Sequence, residues 1–490
     1  MGQQDDVELC VVGAGLTGLN ALVVAADYLT TSDTVVLVDR RGEVGGMWVD
    51  TYDYVRLHQP HRMFTAGSVP WRPRRPTSHL ASRDEVLRHL TSCRRTAAGK
   101  VRLDERLGWD YVSHRENADV VEVTLRRPDG TTTEVRARRL IKAFGNRTLP
   151  TVPLQLSSRR IRSITPETLD LEALRSSEEP IFLIGGGKTA MDTALLLAEL
   201  PGRRVHLVDG PGTLFARRDT FFPTGTARWF GGTPVNAVLR KVCDRFDGTN
   251  EKEVRDWYRP RYGVSPVADG TDFLSAYLSD AEAAIIRAGL ASVEHEYLAD
   301  AVDAGPDVEL VCRSGQRRTV PAGTWIVRCT GLLLRDRHDY EPAVSDTGRV
   351  LSIQQSSSVT GPFTGFGGYY LTHLMMRGML HDAGLYELDL EDLAHKNREV
   401  AMFAAFALAL FNLGQISRAV PNKVMMGCGL DLDRWYPVPR RAFGAVQFLR
   451  ARARMADKNR RTLDALADRY DVQGGPIGRT PHRTGSYGRR

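Results

Sequence analysis

Residues 7–39 read VELCVVGAGLTGLNALVVAADYLTTSDTVVLVD, and this stretch decides the fold. The apolar run VELCVV ends in Gly13-Ala-Gly15-Leu-Thr-Gly18, and the following LTGLNALVVAADYL has helical spacing, which predicts strand, turn and helix. A second strand, TVVLVD, ends at Asp39, 21 residues after Gly18. The glycines allow a tight turn, close approach of a pyrophosphate and helix packing, while the acid can accept hydrogen bonds from a ribose diol. The stretch predicts a dinucleotide-binding unit rather than a merely structural turn.

The same pattern returns in residues 180–209, PIFLIGGGKTAMDTALLLAELPGRRVHLVD. Alanine takes the third glycine position at Ala190, which the nucleotide-binding fingerprint permits. Two such units imply two nucleotides bound at helix N-termini, and a flavin with a nicotinamide nucleotide is the combination that makes chemical sense. The residues predicted to contact the second nucleotide are Gly185, Gly187, Lys188, Thr189 and Asp209.

Each unit is followed by a predicted hairpin and a further apolar strand, ending at Gly145 and at Gly331. We therefore predict an α/β protein with two Rossmann-like dinucleotide-binding domains, for FAD and NAD(P)H, and a helical C-terminal region. Residues 213–280 lack clear periodicity and are interpreted as an insertion near a ligand rather than a core element. The predicted segments are the FAD domain's first part at 1–153, the NAD(P)H domain at 154–335, an FAD-domain return at 336–385, the helical region at 386–470 and a disordered basic tail at 471–490.

Composition is that of an ordinary water-soluble protein of 490 residues, with 42% hydrophobic residues and a mean hydropathy of −0.29. The net charge of +7 is spread over interspersed basic and acidic residues, so we expect no nucleic-acid partner. The six cysteines show no C-x-x-C spacing, which argues against a redox dithiol and a metal site. The apolar stretch 400–411 is short for a bilayer span and predicts a buried helix, so we expect no stable membrane insertion and a cytoplasmic location.

Several stretches match a known family in their order along the chain. They are the G-G-x-W segment within RGEVGGMW (41–48), the L-H-x-P segment within YVRLHQP (54–60), the linker from Ala143-Phe-Gly145 to Pro153, and its second copy at 329–331. Together they resemble class B flavin monooxygenases, which comprise flavin-containing monooxygenases, Baeyer–Villiger monooxygenases and N-hydroxylases. The family's F-x-G-x-x-x-H signature after Gly145 is absent, because no histidine occurs between His114 and His206. The branch of the family therefore stays open.

The resemblance implies that NAD(P)H reduces FAD and that the reduced flavin takes up O2 as a C4a-hydroperoxide that oxygenates a small organic molecule. It makes His58 and Gln59 the candidate catalytic residues, beside the flavin or nicotinamide, with local structural hydrogen bonding as the alternative. It also assigns cofactor contacts to Gly46, Trp48, Gly145, Gly331 and to Gly365 at a helix N-terminus, although Trp48 could equally fill the core.

The choice of nicotinamide cofactor is ambiguous in the sequence. Asp209 favours the free 2′-hydroxyl of NADH, whereas Lys188, Arg217 and Arg218 can pair with a 2′-phosphate. The resemblance favours NADPH, with NADH as the alternative. N-hydroxylation is favoured over Baeyer–Villiger oxygenation, and a non-oxygenating NAD(P)H:FAD oxidoreductase is the rival. The expected partners are a small-molecule substrate and O2, and a homodimer is a family-level expectation.

Overall fold

The computed structural model describes residues 6–146, 151–267, 270–330 and 338–478. Its strands are β1 Leu9–Val12, β2 Thr34–Asp39, β3 Arg102–Leu107, β4 Asp110–Glu116, β5 Val121–Arg126, β6 Thr132–Ala137, β7 Leu140–Gly145, β8 Arg162–Ile164, β9 Ile181–Ile184, β10 Val205–Val208, β11 Thr213–Arg217, β12 Gly263–Val264, β13 Asp272–Leu278, β14 Leu290–Glu294, β15 Leu298–Ala304, β16 Asp307–Cys312, β17 Arg317–Val320, β18 Trp325–Arg328, β19 Val350–Gln354, β20 Tyr386–Leu388 and β21 Gly474–Pro476. Its helices are α1 Leu16–Ala25, α2 Met47–Asp50, α3 Arg83–Ala98, α4 Leu171–Ser176, α5 Lys188–Ala198, α6 Arg218–Phe221, α7 Ala227–Phe230, α8 Val235–Arg245, α9 Glu251–Tyr262, α10 Asp280–Gly289, α11 Thr364–Met376, α12 Leu390–Lys396, α13 Arg398–Ala419, α14 Asn422–Gly427 and α15 Val438–Tyr470.

The first nucleotide-binding unit belongs to a five-stranded sheet in the order β19-β7-β1-β2-β3. All its neighbouring strands run parallel. The four residues of β1 are all buried, as expected for a parallel sheet covered on both faces. Helix α1 begins directly after the turn at Gly15. The strand, turn, helix and strand predicted for residues 7–39 are therefore confirmed.

The second unit forms a separate five-stranded sheet in the order β14-β10-β9-β18-β8, again with every pair parallel. Strand β9 leads into α5, and β10 pairs beside β9. The prediction of an α/β fold with two Rossmann-like units is confirmed. In such sheets ligands bind beyond the carboxyl ends of the strands.

Each parallel sheet is accompanied by a three-stranded antiparallel sheet, β4-β5-β6 or β15-β16-β17. The predicted hairpins are β5 with β6 and β16 with β17, while β4 and β15 were not predicted. Strand β8 already belongs to the second sheet, and β19 returns to the first. The exact domain boundaries at residues 153, 335 and 385 stay predictions.

Residues 213–280 were predicted to be an insertion rather than a core element, and the structure shows that they contribute to the core. They contain the sheet β12-β11-β13 and helices α6 to α9. Side chains such as Phe221, Val242, Phe246 and Tyr258 are buried in one apolar cluster together with α13. The cluster joins chain segments far apart in sequence, so no local periodicity could reveal it.

The C-terminal region is helical from α12 to α15, as predicted. The 22-residue helix α13 is long and apolar enough by composition to cross a membrane, but 72% of its most apolar window is buried inside the protein. Its assignment as a buried helix is confirmed. The disordered tail was predicted to begin too early, because Gly474–Pro476 pairs with β20 and Ile477 is buried. Residues 479–490 lie outside the described part of the chain.

Helices α1 and α11 pack with their backbones in close approach. A Cβ atom on Gly368 of α11 would overlap the carbonyl oxygen of Thr17 in α1. Near their N-termini the Thr17 and Thr364 hydroxyl oxygens lie 3.0 Å apart in a hydrogen bond. The missing side chain at Gly368 thus lets two helix N-termini lie side by side.

We expect Gly368→Ala to destabilise the protein by about 1–3 kcal/mol, because the added methyl must separate two packed helix backbones. The matched control is Gly414→Ala in the interior of α13, where a Cβ would meet nothing within 4 Å. That control should stabilise the protein by about 0.5–1 kcal/mol through helix propensity. Denaturant unfolding of both variants tests this, and equal free energies of unfolding would contradict the packing account.

Candidate functional site

One large cavity connects the two nucleotide-binding units. Its volume is about 1330 Å³, and both glycine turns, at Gly13–Gly15 and Gly185–Gly187, lie in its wall. A site for one drug-sized ligand measures roughly 300–1,000 Å³, so this cavity has room for more than one such molecule. The two units therefore face a common space.

The first turn is closely packed against β7. Gly13 has φ +109°, and a Cβ there would lie 2.5 Å from the carbonyl oxygen of Ala143. A Cβ on Gly18 would overlap the carbonyl oxygen of Gly13, so Gly18 serves packing and does not line the cavity. Asp39 is buried in the cavity wall and accepts hydrogen bonds from the backbone N–H groups of Ala14 (2.6 Å) and Arg41 (2.8 Å). Its carboxylate keeps further lone pairs for a ligand hydroxyl.

The segment with the G-G-x-W motif closes over this turn. A Cβ on Gly46 would lie 2.8 Å from the Cα of Gly15. Trp48 lines the cavity and also packs edge-to-face on Phe64, with ring centroids 5.6 Å apart. Trp48 therefore contributes to the cavity wall and also packs against the core.

The second turn has one crowded and one open glycine. Gly185, with φ +116°, would place a Cβ 2.9 Å from the backbone of Cys329, whereas a Cβ on Gly187 would meet nothing within 4 Å. Asp209 follows β10, and its Oδ1 lies 2.9 Å from Nδ1 of His295. The Oδ2 atom is buried without a hydrogen-bond partner among the described residues, and burial raises the pKa of this carboxyl group. A buried oxygen without a partner in a cavity wall can accept a hydrogen bond from a bound ligand.

The N-termini of helices α1, α5 and α11 lie at the cavity without a side-chain cap. The residues that precede these helices, Gly15, Gly187 and Phe363, line the cavity. Uncapped N-terminal N–H groups together with the helix dipole bind anions such as phosphates. Gly365 in the first turn of α11 and Gly145 at the end of β7 also line the cavity.

A loop of the first unit contacts helix α5 of the second. The Tyr52 hydroxyl donates to Asp192 (2.9 Å), and Tyr54 is 2.9 Å from the Thr193 hydroxyl. Lys188, in the cavity wall, forms an ion pair with Asp192. Burial, and then the Asp192 charge, raises the pKa of Tyr52 well above its usual range, so its phenol stays a proton donor. Thr189 lines the cavity beside Lys188.

His58 and Gln59 line the cavity where the two units meet. The Tyr277 backbone N–H donates to His58 Nδ1 at 2.9 Å, so the imidazole proton lies on Nε2. Burial, and then the charges of Lys188 and Arg218, lower the pKa of His58 to about 3. His58 is therefore a neutral hydrogen-bond donor at neutral pH. The Gln59 Oε1 atom is buried without a partner among the described residues.

The two arginines predicted to hold a 2′-phosphate do not line the cavity. Arg217 lies 3.3 Å from Asp280 and Arg218 pairs with Glu282, both acids at the start of α10. Arg313 and Arg328 line the cavity instead. The sequence offered no signal for Arg313, which follows β16 and reaches the cavity only through the fold, whereas Arg328 lies in the predicted strand that ends at Gly331. Gly331 lies outside the described residues.

A side pocket of about 130 Å³ adjoins the cavity and shares Gly145, Asn146 and Pro362 with it. One wall is the apolar face of α13, formed by Ala401, Met402 and Ala405. The polar side chains at this pocket include Glu391, His338, Gln355 and Arg398. Glu391 is buried, and its Oε1 lies 2.7 Å from Nδ1 of His338.

One family model and several solved structures are similar to this chain. Residues 7–251 match the pyridine nucleotide-disulphide oxidoreductase family. No curated protein sequence matches the chain. Similar solved structures include a flavin-containing monooxygenase from Stenotrophomonas maltophilia, with 15% identity, 77% of this chain and 98% of that chain covered and a TM-score of 0.47. Ornithine hydroxylase from Pseudomonas aeruginosa is 13% identical, with 77% of this chain and 99% of that chain covered and a TM-score of 0.48. Bacillithiol disulfide reductase from Bacillus cereus is 11% identical, with 76% of this chain and 100% of that chain covered and a TM-score of 0.44.

The two glycines of the second turn should behave differently on substitution. Gly187→Ala should cost less than about 1 kcal/mol of stability, because its Cβ meets open space and Ala is only a poorer N-cap. It should nevertheless weaken nicotinamide-nucleotide binding about tenfold or more, roughly 1.4 kcal/mol, by blocking the pyrophosphate. Gly185→Ala should destabilise the fold itself. Thermal unfolding and anaerobic titration measure both, and unchanged nucleotide affinity in Gly187→Ala would contradict this site.

Proposed function

The chain belongs to the pyridine nucleotide-disulphide oxidoreductase family, and from this premise we propose that it is an NADPH- and FAD-dependent monooxygenase acting on a small organic molecule. The observation that carries the proposal is the single cavity that joins both glycine turns and adjoins the side pocket, with no cysteine in either wall among the described residues. The overall reaction is substrate, NADPH, H⁺ and O2 giving oxygenated substrate, NADP⁺ and water.

The first turn suits FAD. Its pyrophosphate would accept hydrogen bonds from the N–H groups at the start of α1, and Asp39 would accept hydrogen bonds from the ribose hydroxyls. The start of α11 would lie near the flavin ring, where a helix N-terminus stabilises negative charge on the reduced form. Gly46 would cover the pyrophosphate, since only a residue without a side chain fits so close to Gly15.

The second turn suits a nicotinamide nucleotide. The open space at Gly187 would admit its pyrophosphate, and the unpartnered Asp209 Oδ2 would meet the ribose beyond β10. Arg313 lies in the same wall and supplies a cation for the 2′-phosphate of NADPH, in place of the ion-paired Arg217 and Arg218. NADH stays the alternative, because Asp209 also suits a free 2′-hydroxyl.

The cysteines argue against electron transfer through a protein disulfide. All six are free and buried, and none lines the cavity. Burial raises the pKa of Cys10, Cys243, Cys329 and Cys428 to about 12, so these thiols stay protonated at neutral pH. A thiol, unlike a thiolate, is a poor nucleophile toward a disulfide. Electrons from NADPH would therefore leave the flavin for an acceptor in the cavity.

The side pocket favours an amine or amino acid over a ketone, and so N-hydroxylation over Baeyer–Villiger oxygenation. Glu391 is a buried carboxylate that can only accept hydrogen bonds when ionised, which matches the N–H groups of an amine. Arg398, also at the pocket, pairs with Asp272 at 3.3 Å and could exchange that acid for a carboxylate of the same molecule. A ketone oxygen could accept from Arg398 or Gln355 but would offer no donor to Glu391.

Bound FAD supplies the hydride acceptor and the chemistry with O2. The protein's residues would bind and orient the cofactors. The N-termini of α1 and α5 would hold the two pyrophosphates, and the His58 Nε2–H group would donate to the nicotinamide carboxamide or the flavin edge. The hydrogen bonds of Tyr52 with Asp192 and of Tyr54 with Thr193 fix the two units relative to each other. The apolar face of α13 excludes water from the side pocket.

The reaction class is tested by reducing the FAD-loaded protein anaerobically with NADPH and mixing it with O2 while recording the flavin spectrum. A monooxygenase should show a transient absorbance band between those of the oxidised and reduced flavin. Direct return to oxidised flavin, with NADP⁺ bound and candidate amines present, would contradict oxygenation. The Cys329→Ser variant should react as fast as the wild type, since no thiol takes part.

The role of His58 predicts the pH dependence of flavin reduction. Because its pKa is lowered to about 3, His58 stays neutral from about pH 5 upward, and its ionisation should not affect the rate between pH 5 and 8. His58→Ala should slow reduction roughly tenfold by losing one positioning hydrogen bond, and His58→Gln should restore part of the rate. Anaerobic stopped-flow against pH measures this. A break near pH 6.5 in the wild type that disappears in His58→Gln would contradict it.

A further inference from the structure

The first half of helix α15 carries an exposed apolar face. Residues 438–454, VPRRAFGAVQFLRARAR, contain five arginines and no acidic residue. The large apolar side chains exposed to solvent here are Val438 (71%), Phe443 (65%), Val446 (44%) and Leu449 (49%). Together with the exposed alanines 442, 445 and 453 they recur every three or four residues, and so form one continuous stripe on the helix.

The opposite side of the same helix anchors it to the protein. Phe448 and Ala451 pack against the cluster that contains α8 and α13. Beyond this segment α15 turns its apolar side chains inward, with Met455, Leu463 and Leu466 buried. The exposed stripe is therefore an additional apolar face on a fixed helix and not its core-facing side.

Arginines flank the stripe on both sides. With 3.6 residues per turn, Arg441 and Arg452 fall beside one edge, and Arg440 and Arg454 beside the other. Arg454 pairs with Asp244 at 3.3 Å, whereas Arg441, Arg450 and Arg452 form no ion pair among residues 6–146, 151–267, 270–330 and 338–478. An apolar stripe between long cationic side chains is the pattern of a helix lying in a membrane interface.

Two further aromatic side chains lie next to the start of this helix. Trp229 and Phe230 in α7 are 53% and 91% exposed. Arg440 of α15 donates hydrogen bonds to the carbonyl oxygens of Arg228 (3.0 Å) and Gly231 (2.5 Å), which holds α7 against the helix. Amphipathic aromatic rings such as Trp are favoured at the membrane–water boundary. Apolar surface of this kind on a single helix and its neighbour marks a binding face.

We infer that this face, Trp229–Phe230 with residues 438–454, binds the surface of an anionic lipid bilayer. The apolar stripe would enter the headgroup region while Arg441, Arg450 and Arg452 pair with lipid phosphates. A second copy of the chain is a poor occupant, because a twofold contact would bring the same unpaired arginines together without acids. Nucleic acid is also a poor occupant, because the phosphate backbone offers nothing to the exposed apolar stripe between the arginines. The inference is independent of the reaction proposed above.

The test is sedimentation of the FAD-loaded full chain with vesicles of phosphatidylcholine alone or with 30 mol % phosphatidylglycerol added, a composition of about one anionic lipid in three. The protein should sediment with the anionic vesicles and stay in solution with the neutral ones. Its bound fraction should fall as salt rises, because screening weakens the arginine contribution. Absence of binding to anionic vesicles, or equal binding to both, would overturn the inference.

Two surface variants separate the apolar and the charged contributions. Arg450→Gln/Arg452→Gln should lower the partition coefficient about 25-fold, at about fivefold per arginine. Val446→Asp/Leu449→Asp should abolish vesicle binding, whereas Ile285→Asp, an exposed apolar residue of α10 outside the face, should not. All three should keep the wild-type melting temperature and NADPH oxidation rate in solution.

The same variants distinguish a lipid bilayer from the other possible partners of this face. If Val446→Asp/Leu449→Asp converts a dimer to a monomer, the face is a subunit interface and the inference is wrong. If the protein binds duplex DNA and not vesicles, and the arginine variant loses that binding, the partner is nucleic acid and the inference is equally wrong. Vesicle binding unchanged in both face variants would overturn it as well.

Discussion

Close contact between backbones, which glycine alone allows, is the constraint on which the cavity depends. Gly13 brings the end of β1 against β7, Gly185 brings the end of β9 against the backbone after β18, and Gly368 brings α11 against α1. Any side chain at these positions would separate the elements. Because the elements do approach, the uncapped N-termini of α1, α5 and α11 open into one space, and the field there favours phosphate groups.

The electrostatics of the cavity follow from burial around this frame. His58 is kept neutral by desolvation and by neighbouring cations, and Tyr52 is kept protonated by desolvation and by Asp192. The ionisable groups of the cavity wall include Asp39, Asp209, the Lys188–Asp192 pair, Arg313 and Arg328, beside the helix N-termini. The described residues of the cavity wall thus offer fixed donors and anion-binding backbone to nucleotides, and no cysteine is among them. Such a site can position cofactors while the cofactors carry the redox chemistry.

The sequence predicted those parts of the molecule that local chemistry determines. The glycine turns, the strands beside them, the hairpins β5–β6 and β16–β17 and the buried helix α13 all follow from periodicity or turn residues within short windows. The sequence could not predict that residues 213–280 share a core with α13, because that contact joins distant segments. For the same reason it could not predict that the fold pairs Arg217 and Arg218 with Asp280 and Glu282, or that Arg313 lines the cavity. The start of the tail was misplaced because Gly-rich residues 474–476 are held by pairing with β20, a partner that composition does not reveal.

The central claim is that FAD and a nicotinamide nucleotide occupy one cavity and meet in it. A crystal structure of the protein with FAD and NADP⁺ bound tests this claim most directly. The account predicts the two pyrophosphates at the N-termini of α1 and α5, with the nicotinamide stacked on the flavin at about 3–3.5 Å, the separation of reacting atoms in a productive complex. A nucleotide bound at only one of the two turns, or two nucleotides whose rings lie apart with protein between them, would contradict it.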